Sequence, residues 1–170
     1  GGKTHSMLAV WHLFSGVPVT QFTQDIQEIV HGAGLDLSGQ PVQRVALVGN
    51  EIAPGQPLIT EDGTKVRTLW GQIGWQLGGP EGYAMVADSD KSSTSPGQAL
   101  RSLLAKYSPC IILIDEWVAY ARQLRDQDGL IAGSFETQFT FAQLLTEAVA
   151  ATPGALLLVS IPASDARVGA

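Results

Sequence analysis

Two short runs carry the side chains best suited to chemistry. Gly1-Gly2-Lys3-Thr4 has the form of the tail of a phosphate-binding loop, G-x-x-x-x-G-K-[ST]. In such a loop, glycines let backbone N–H groups curl around phosphate oxygens. The lysine reaches the β and γ phosphates as a point charge, and the threonine hydroxyl ligates Mg²⁺. The helix that follows points its positive end at the anion. G-K-[ST] alone is a weak signal, expected by chance in about one chain in ten of this length. The second run, Ile111-Ile112-Leu113-Ile114-Asp115-Glu116, is four apolar residues followed by two acids. A buried strand of this kind delivers Asp115 to the C-terminal edge of an open α/β sheet, where ligands sit. An Asp there holds the Mg²⁺ shell, and an adjacent Glu can orient and deprotonate an attacking water. An ordinary strand could end the same way, with Glu116 simply opening the next helix at its favourable dipole end. The weight comes from the pair: both runs are present, in the order and local context that a nucleoside triphosphate site needs.

Other reactive side chains are better explained without chemistry. Cys110 opens an apolar run and reads as a small hydrophobe. His12 and His31 have no ligand partners at metal-binding spacing; His5 alone is close enough to Lys3 to touch nucleotide. Trp11, Trp70, Trp75 and Trp117 read as core. Arg122 and Arg125 are candidates for an arginine finger reaching a neighbouring subunit, against the plainer reading of a solvated helix face.

The elements that would position these residues follow from periodicity. Met7, Val10, Trp11 and Phe14 predict a helix directly after Thr4, stopped by Gly16 and Pro18. Thr20 is the expected cap of a second helix, with Phe22, Ile26, Ile29 and Val30 on one face. Val45 to Val48 reads as a buried strand. Asp62-Gly63 is a hairpin turn signal between Leu58-Ile59 and Val66. Leu69, Trp70, Ile73 and Leu77 predict a helix ending at Gly78-Gly79-Pro80, and 88–94 reads as a surface loop. Ser95-Pro96 is a helix start, with Leu100, Leu103, Leu104 and Tyr107 as its stripe. Cys110–Ile114 has no alternation, as expected of a strand covered on both faces. A short helix carries Val118, Ala121 and Leu124. Ser134 caps a long helix whose expected apolar face is Phe135, Phe139, Ala142, Leu145 and Val149, and Ala155 to Ile161 is a third strand. Strands alternating with helices predict an α/β fold with a parallel sheet.

Composition fits one domain. The chain has 170 residues, 45% hydrophobic and 15% charged, enough apolar material for a core and too little charge for disorder. Ten Lys+Arg against sixteen Asp+Glu leave a net charge of -6, so no overall basic footprint for nucleic acid exists. A single Cys excludes a disulfide framework and a cysteine zinc site and fits a reducing compartment. No apolar run reaches the roughly 18–20 residues of a membrane span, and no basic-then-apolar leader is visible. The expected location is cytoplasmic, with no membrane partner. Because residue 1 falls inside a motif, residues 1–170 read as an internal piece of a larger protein: a partial ATPase domain beginning in the phosphate loop and ending after the third strand, so ATP hydrolysis is expected of the full-length protein and not of this piece alone.

The runs Gly1-Gly2-Lys3-Thr4-His5-Ser6-Met7-Leu8-Ala9, Arg67-Thr68-Leu69-Trp70-Gly71 and Ile112-Leu113-Ile114-Asp115-Glu116-Trp117-Val118-Ala119-Tyr120 resemble a family of large prokaryotic predicted AAA+ ATPases. That family carries a domain of unknown function and is often encoded beside DNA methyltransferases in anti-phage or modification clusters. The resemblance spans essentially the whole chain. It implies a P-loop NTPase, AAA+-like three-layer sandwich with a mostly parallel sheet, its first strand lying ahead of Gly1. The three strands read above would be neighbours, with one edge left for that strand. ATP and Mg²⁺ are the implied cofactors. Gly1, Gly2, Lys3, Thr4 and His5 would bind nucleotide, and Thr4 and Asp115 would hold the metal. Lys3 and Glu116 would be catalytic, and Ser160 would sense the γ-phosphate, with Ser164 a competitor for that role. A second copy of the chain and DNA-modification or defence proteins are the implied partners. Two other readings stay open: a nucleotide-dependent switch that does not hydrolyse, and an interaction domain without nucleotide.

Overall fold

The computed structural model describes residues 2–34, 37 and 42–162. Its centre is a parallel three-stranded sheet of order β1-β4-β5, formed by Gln43–Val48, Cys110–Asp115 and Ala155–Val159. Val48 pairs with Asp115 and Ile114 with Val159, so all three strands end along one edge. β4 is buried at every residue, as its unbroken apolar run requires. β2 (Leu58–Ile59) and β3 (Lys65–Val66) form a separate antiparallel hairpin closed by Asp62-Gly63, where Gly63 takes φ 83°.

Pleating puts Val45, Leu47, Ile112 and Ile114 on one face, where they join the core with α3 (Leu69–Ala84), α5 (Gln98–Tyr107) and α7 (Phe135–Ala150). The opposite face carries Ala46, Val48, Leu113 and Asp115, and α1 (Lys3–Leu13) lies over it. The described residues thus make a small α/β domain with an open parallel sheet flanked by helices. α3 bends at Gly78-Gly79, the residues expected to end it, and a short helical piece resumes at Pro80. The outer edge of β1 is closed by a side chain. Gln76 of α3 donates to the Ala46 carbonyl at 3.1 Å and accepts the Ala46 N–H at 2.9 Å, taking the place of a neighbouring strand.

Four local expectations are corrected. Thr20 caps nothing: Val19–Gln21 is a 3₁₀ turn, and α2 (Gln24–Gly32) starts after Thr23, leaving Ile29 exposed. α5 starts two residues later than Pro96, after Gly97 in a positive-φ conformation. Segment 88–94 lies at the surface, with Asp88, Lys91, Ser92 and Thr94 exposed, but it is not a loop throughout: α4 (Ala87–Ser92) forms there and buries Asp90 completely. The buried stripe of α7 is Gln138, Phe141, Leu145 and Ala148, while Phe139 is 70% exposed. Phe141 wins the inward position by packing against Trp70 and Trp117, with ring centroids 5.2 and 5.8 Å away. Ser134 caps α7 as expected, accepting the Thr137 N–H at 3.1 Å.

Candidate functional site

The C-terminal edge of the sheet gathers residues from both ends of the chain. α1 begins at Gly2, whose backbone is its cap; no side chain caps its first turn and that turn carries no acid. Its leading N–H groups therefore keep their anion-binding capacity. From that turn the Thr4 hydroxyl donates to Asp115 Oδ2 at 2.8 Å, across 111 positions of sequence. Lys3 Nζ donates to the Ile161 carbonyl at 2.7 Å. Ser160, first residue beyond β5 and nearly buried, donates through its hydroxyl to Asp115 Oδ1. The Glu116 N–H completes the shell, donating to Asp115 Oδ1 at 3.1 Å and to Ser160 Oγ at 3.0 Å.

Asp115 is only 8% exposed, yet its carboxyl is held below the ordinary carboxylate value. The Ser160 hydroxyl is the largest cause. Burial pushes the other way, and the Thr4 hydroxyl, the Glu116 N–H and the Lys3 charge outweigh it. The site therefore presents a carboxylate favoured in its charged form, beside a threonine hydroxyl and a lysine.

Glu116 takes φ 53°, ψ 34°, a left-handed conformation that costs a residue with a Cβ about 1–3 kcal/mol. It is half-buried and serves as the cap residue of α6 (Trp117–Gln123). Among the described residues, its carboxylate makes no hydrogen bond or ion pair. His5 is exposed on the first turn of α1. Arg122 is exposed, and Arg125 makes a 3.9 Å surface pair with its neighbour Asp126. Gly1 and Ser164 lie outside the described residues. Cys110 is buried and its thiol is pushed up by burial.

α1 rests lightly on the sheet. None of its residues is fully buried, and a cavity of about 250 Å³ lies between it and the strands, with Met7, Leu8 and Trp11 above and Ala46 and Leu113 below. What holds the helix is polar: Thr4 and Lys3 at its start, and at its end Arg44, which donates to the Trp11 carbonyl at 2.6 Å and stacks 4.2 Å from the Trp11 ring.

Among the described residues, no three His, Cys, Asp or Glu side chains converge as a metal site. Mg²⁺ does not need such a cage, since it binds through one or two protein oxygens and substrate phosphates. Thr4 Oγ1 and Asp115 Oδ2, 2.8 Å apart, are two hard oxygens at the spacing of adjacent octahedral ligands, about 2.9 Å for the usual 2.0–2.1 Å bonds. The residues present fit the ion.

One cluster escaped the sequence reading. Asp90 accepts the Arg67 N–H at 3.0 Å, the Thr68 N–H at 2.9 Å, the Thr68 hydroxyl at 2.6 Å and the Tyr83 hydroxyl at 2.8 Å. The Arg67 guanidinium lies 3.7 Å away. A Cβ on Gly71 would collide with the Asp90 carboxylate. The run Arg67-Thr68-Leu69-Trp70-Gly71 is thus a cup for a buried internal carboxylate at the start of α3. Only the Asp-rich polarity of 88–94 hinted at it.

Fold and site together define an α/β domain whose open parallel sheet carries an acid, two hydroxyls and a lysine at its C-terminal edge. The chain belongs to the family described as the DUF499 N-terminal domain, whose model matches residues 1–170. No curated protein and no solved structure matches it.

Proposed function

We propose that the full-length protein carrying this domain binds ATP with Mg²⁺ and hydrolyses it, as a P-loop ATPase of the AAA+ type. The observation that carries the reading is the meeting of Thr4 with Asp115 at 2.8 Å, the hydroxyl of a Gly-Lys-Thr helix start against the acid that ends a buried strand. The contiguous parallel order β1-β4-β5 supports it, since these are the strands that an AAA+ sheet makes neighbours. The outer side of β5, where among the described residues no strand pairs, is the place that sheet reserves for the strand entering the phosphate loop.

In this reading Gly1, Gly2 and the first N–H groups of α1 cradle phosphate, with His5 beside them. Lys3 exchanges the Ile161 carbonyl for β/γ-phosphate oxygens, and Thr4 and Asp115 hold Mg²⁺, which would neutralise charge on the phosphates when bound. Glu116 accepts a proton from the attacking water as its oxygen adds to the γ-phosphorus. ADP leaves with the electrons of the broken P–O bond. Ser160 ties the Asp115 carboxylate to the Glu116 backbone and so links the metal side of the site to the water side. A switch without hydrolysis would need no acid at position 116, and a strained backbone held at Glu116 favours hydrolysis. On this reading the activity serves DNA modification or phage defence, carried out in the cytoplasm by a homo-oligomer.

The test is a Mg·ATP titration and steady-state phosphate release on the full-length protein that carries this domain. Lys3→Ala should abolish measurable ATP binding. Glu116→Gln should keep binding and slow turnover about 10²–10⁴-fold. Unchanged affinity in Lys3→Ala would remove the nucleotide assignment. Wild-type turnover in Glu116→Gln would return that residue to a plain helix-start acid.

A further inference from the structure

Glu116 stands where three elements meet, and one glycine lets them meet. β1 ends at Val48, and the next N–H, that of Gly49, donates to the Asp115 carbonyl at 2.8 Å, extending the β1–β4 pairing by one step. At that point the two backbones are too close for any side chain. A Cβ on Gly49 would collide with the Glu116 carbonyl oxygen, lie 2.8 Å from its carbonyl carbon and 3.0 Å from Tyr120 Cβ. Two of these three atoms are backbone and the third is a Cβ, so no flexible chain end can move aside. The Glu116 carbonyl is also fixed from α6, where it accepts the Tyr120 N–H at 3.2 Å. Gln123, one turn further along, donates its side-chain amide to the Gly49 carbonyl at 3.2 Å and closes the ring.

The Glu116 peptide is therefore bounded on both sides. Gly49 and Tyr120 fix its carbonyl, while Asp115 and Ser160 take its N–H. Such confinement can hold a residue in the left-handed region against its own preference. We infer that Gly49, braced by Gln123, is a positioning residue that sets the backbone from which Glu116 addresses the attacking water. It touches neither nucleotide nor water itself. This rests on the ATPase reading above.

Gly49→Ala and Gln123→Ala in the full-length protein test it, with three readouts: the Mg·ATP dissociation constant, kcat, and hydrogen exchange at the Glu116 amide. Displacing a catalytic group by about 1 Å costs about 10²-fold in rate, so Gly49→Ala should lose about that in kcat with ATP affinity unchanged. Its Glu116 amide should exchange faster, and Gln123→Ala should move kcat and exchange the same way by less. Wild-type kcat and exchange in Gly49→Ala would overturn the inference. So would kcat, ATP affinity and melting temperature falling together, which marks general loss of the fold. If Gly49→Ala does not fold, Gln123→Ala decides on the same two readouts, since it leaves the close approach intact. If the wild-type full-length protein hydrolyses no ATP, the ATPase reading fails by itself, and exchange at Glu116 still reports whether Gly49 sets that backbone.

Discussion

Removing the Ser160 hydroxyl should cost stability in a way that pH can switch. Ser160 donates to Asp115 Oδ1, and only 5% of Ser160 is exposed, so water does not replace the lost donor in Ser160→Ala. A hydrogen bond to a charged group contributes about 1.5–3 kcal/mol. Asp115 keeps the Thr4 hydroxyl and the Glu116 N–H, and the Glu116 N–H keeps Asp115, so no buried group is orphaned. The expected loss at pH 7 is therefore about 2 kcal/mol. Its pH dependence follows from the depressed carboxyl of Asp115. In the unfolded chain an Asp titrates near pH 3.9, and the folded value lies lower, so the folded state favours the charged form. The stabilisation is complete above about pH 4 and is lost as the pH falls through the folded pKa. Ser160→Ala removes the largest cause of that depression. Its deficit should shrink towards about 1 kcal/mol, the worth of a neutral hydrogen bond, once Asp115 is protonated. Urea unfolding of both proteins from neutrality down through the folded pKa of Asp115 measures this, and carboxyl NMR of Asp115 reports the shift directly. A deficit of equal size at both ends of the titration would refute the charge-assisted bond, and a deficit near zero would refute the bond altogether.

Three further variants test the backbone, the buried acid and its phenol partner. Glu116→Gly should relieve the left-handed strain and raise stability by up to about 1 kcal/mol, since glycine adopts this conformation freely. The same change should abolish the ATP turnover proposed above; a lowered melting temperature would show that the Glu116 side chain supports the fold. Asp90→Ala should cost about 3–5 kcal/mol in denaturant unfolding, because it strands buried donors from Arg67, Thr68 and Tyr83. Tyr83, pushed up to about 12 mainly by burial and then by its bond to Asp90, adds an alkaline limb. A neutral phenol favoured by folding gives stability that is complete below about pH 10 and is lost as the pH rises through the folded value. Tyr83→Phe should flatten melting curves across that window, and an unchanged alkaline limb would exclude Tyr83 as its source.

The strands and the polar residues that end or follow them were legible because each is written locally. The unbroken run Cys110–Ile114 announces a strand covered on both faces, and Asp115-Glu116 sits at its end whatever the rest of the chain does. Gly2-Lys3-Thr4 before an apolar helix is equally local. The parallel alternation of strands and helices followed from the same periodicity, and the hairpin from Asp62-Gly63. Tertiary structure alone decided what those residues touch. Periodicity marked α7 as amphipathic with Phe139 inside, but Phe141 is buried and Phe139 exposed, because the aromatic partners Trp70 and Trp117 come from distant elements. A polar segment reads as solvated until a fold supplies donors, and Asp90 is buried because Arg67, Thr68 and Tyr83 supply them. The left-handed backbone of Glu116 has no signature in its own residue type, since Glu ordinarily avoids that region. It arises where Gly49 lets β1 close on β4, a contact between residues 67 positions apart. Local sequence fixes propensity and chemistry, whereas burial, partners and strain belong to pairs of residues that meet only when the chain has folded.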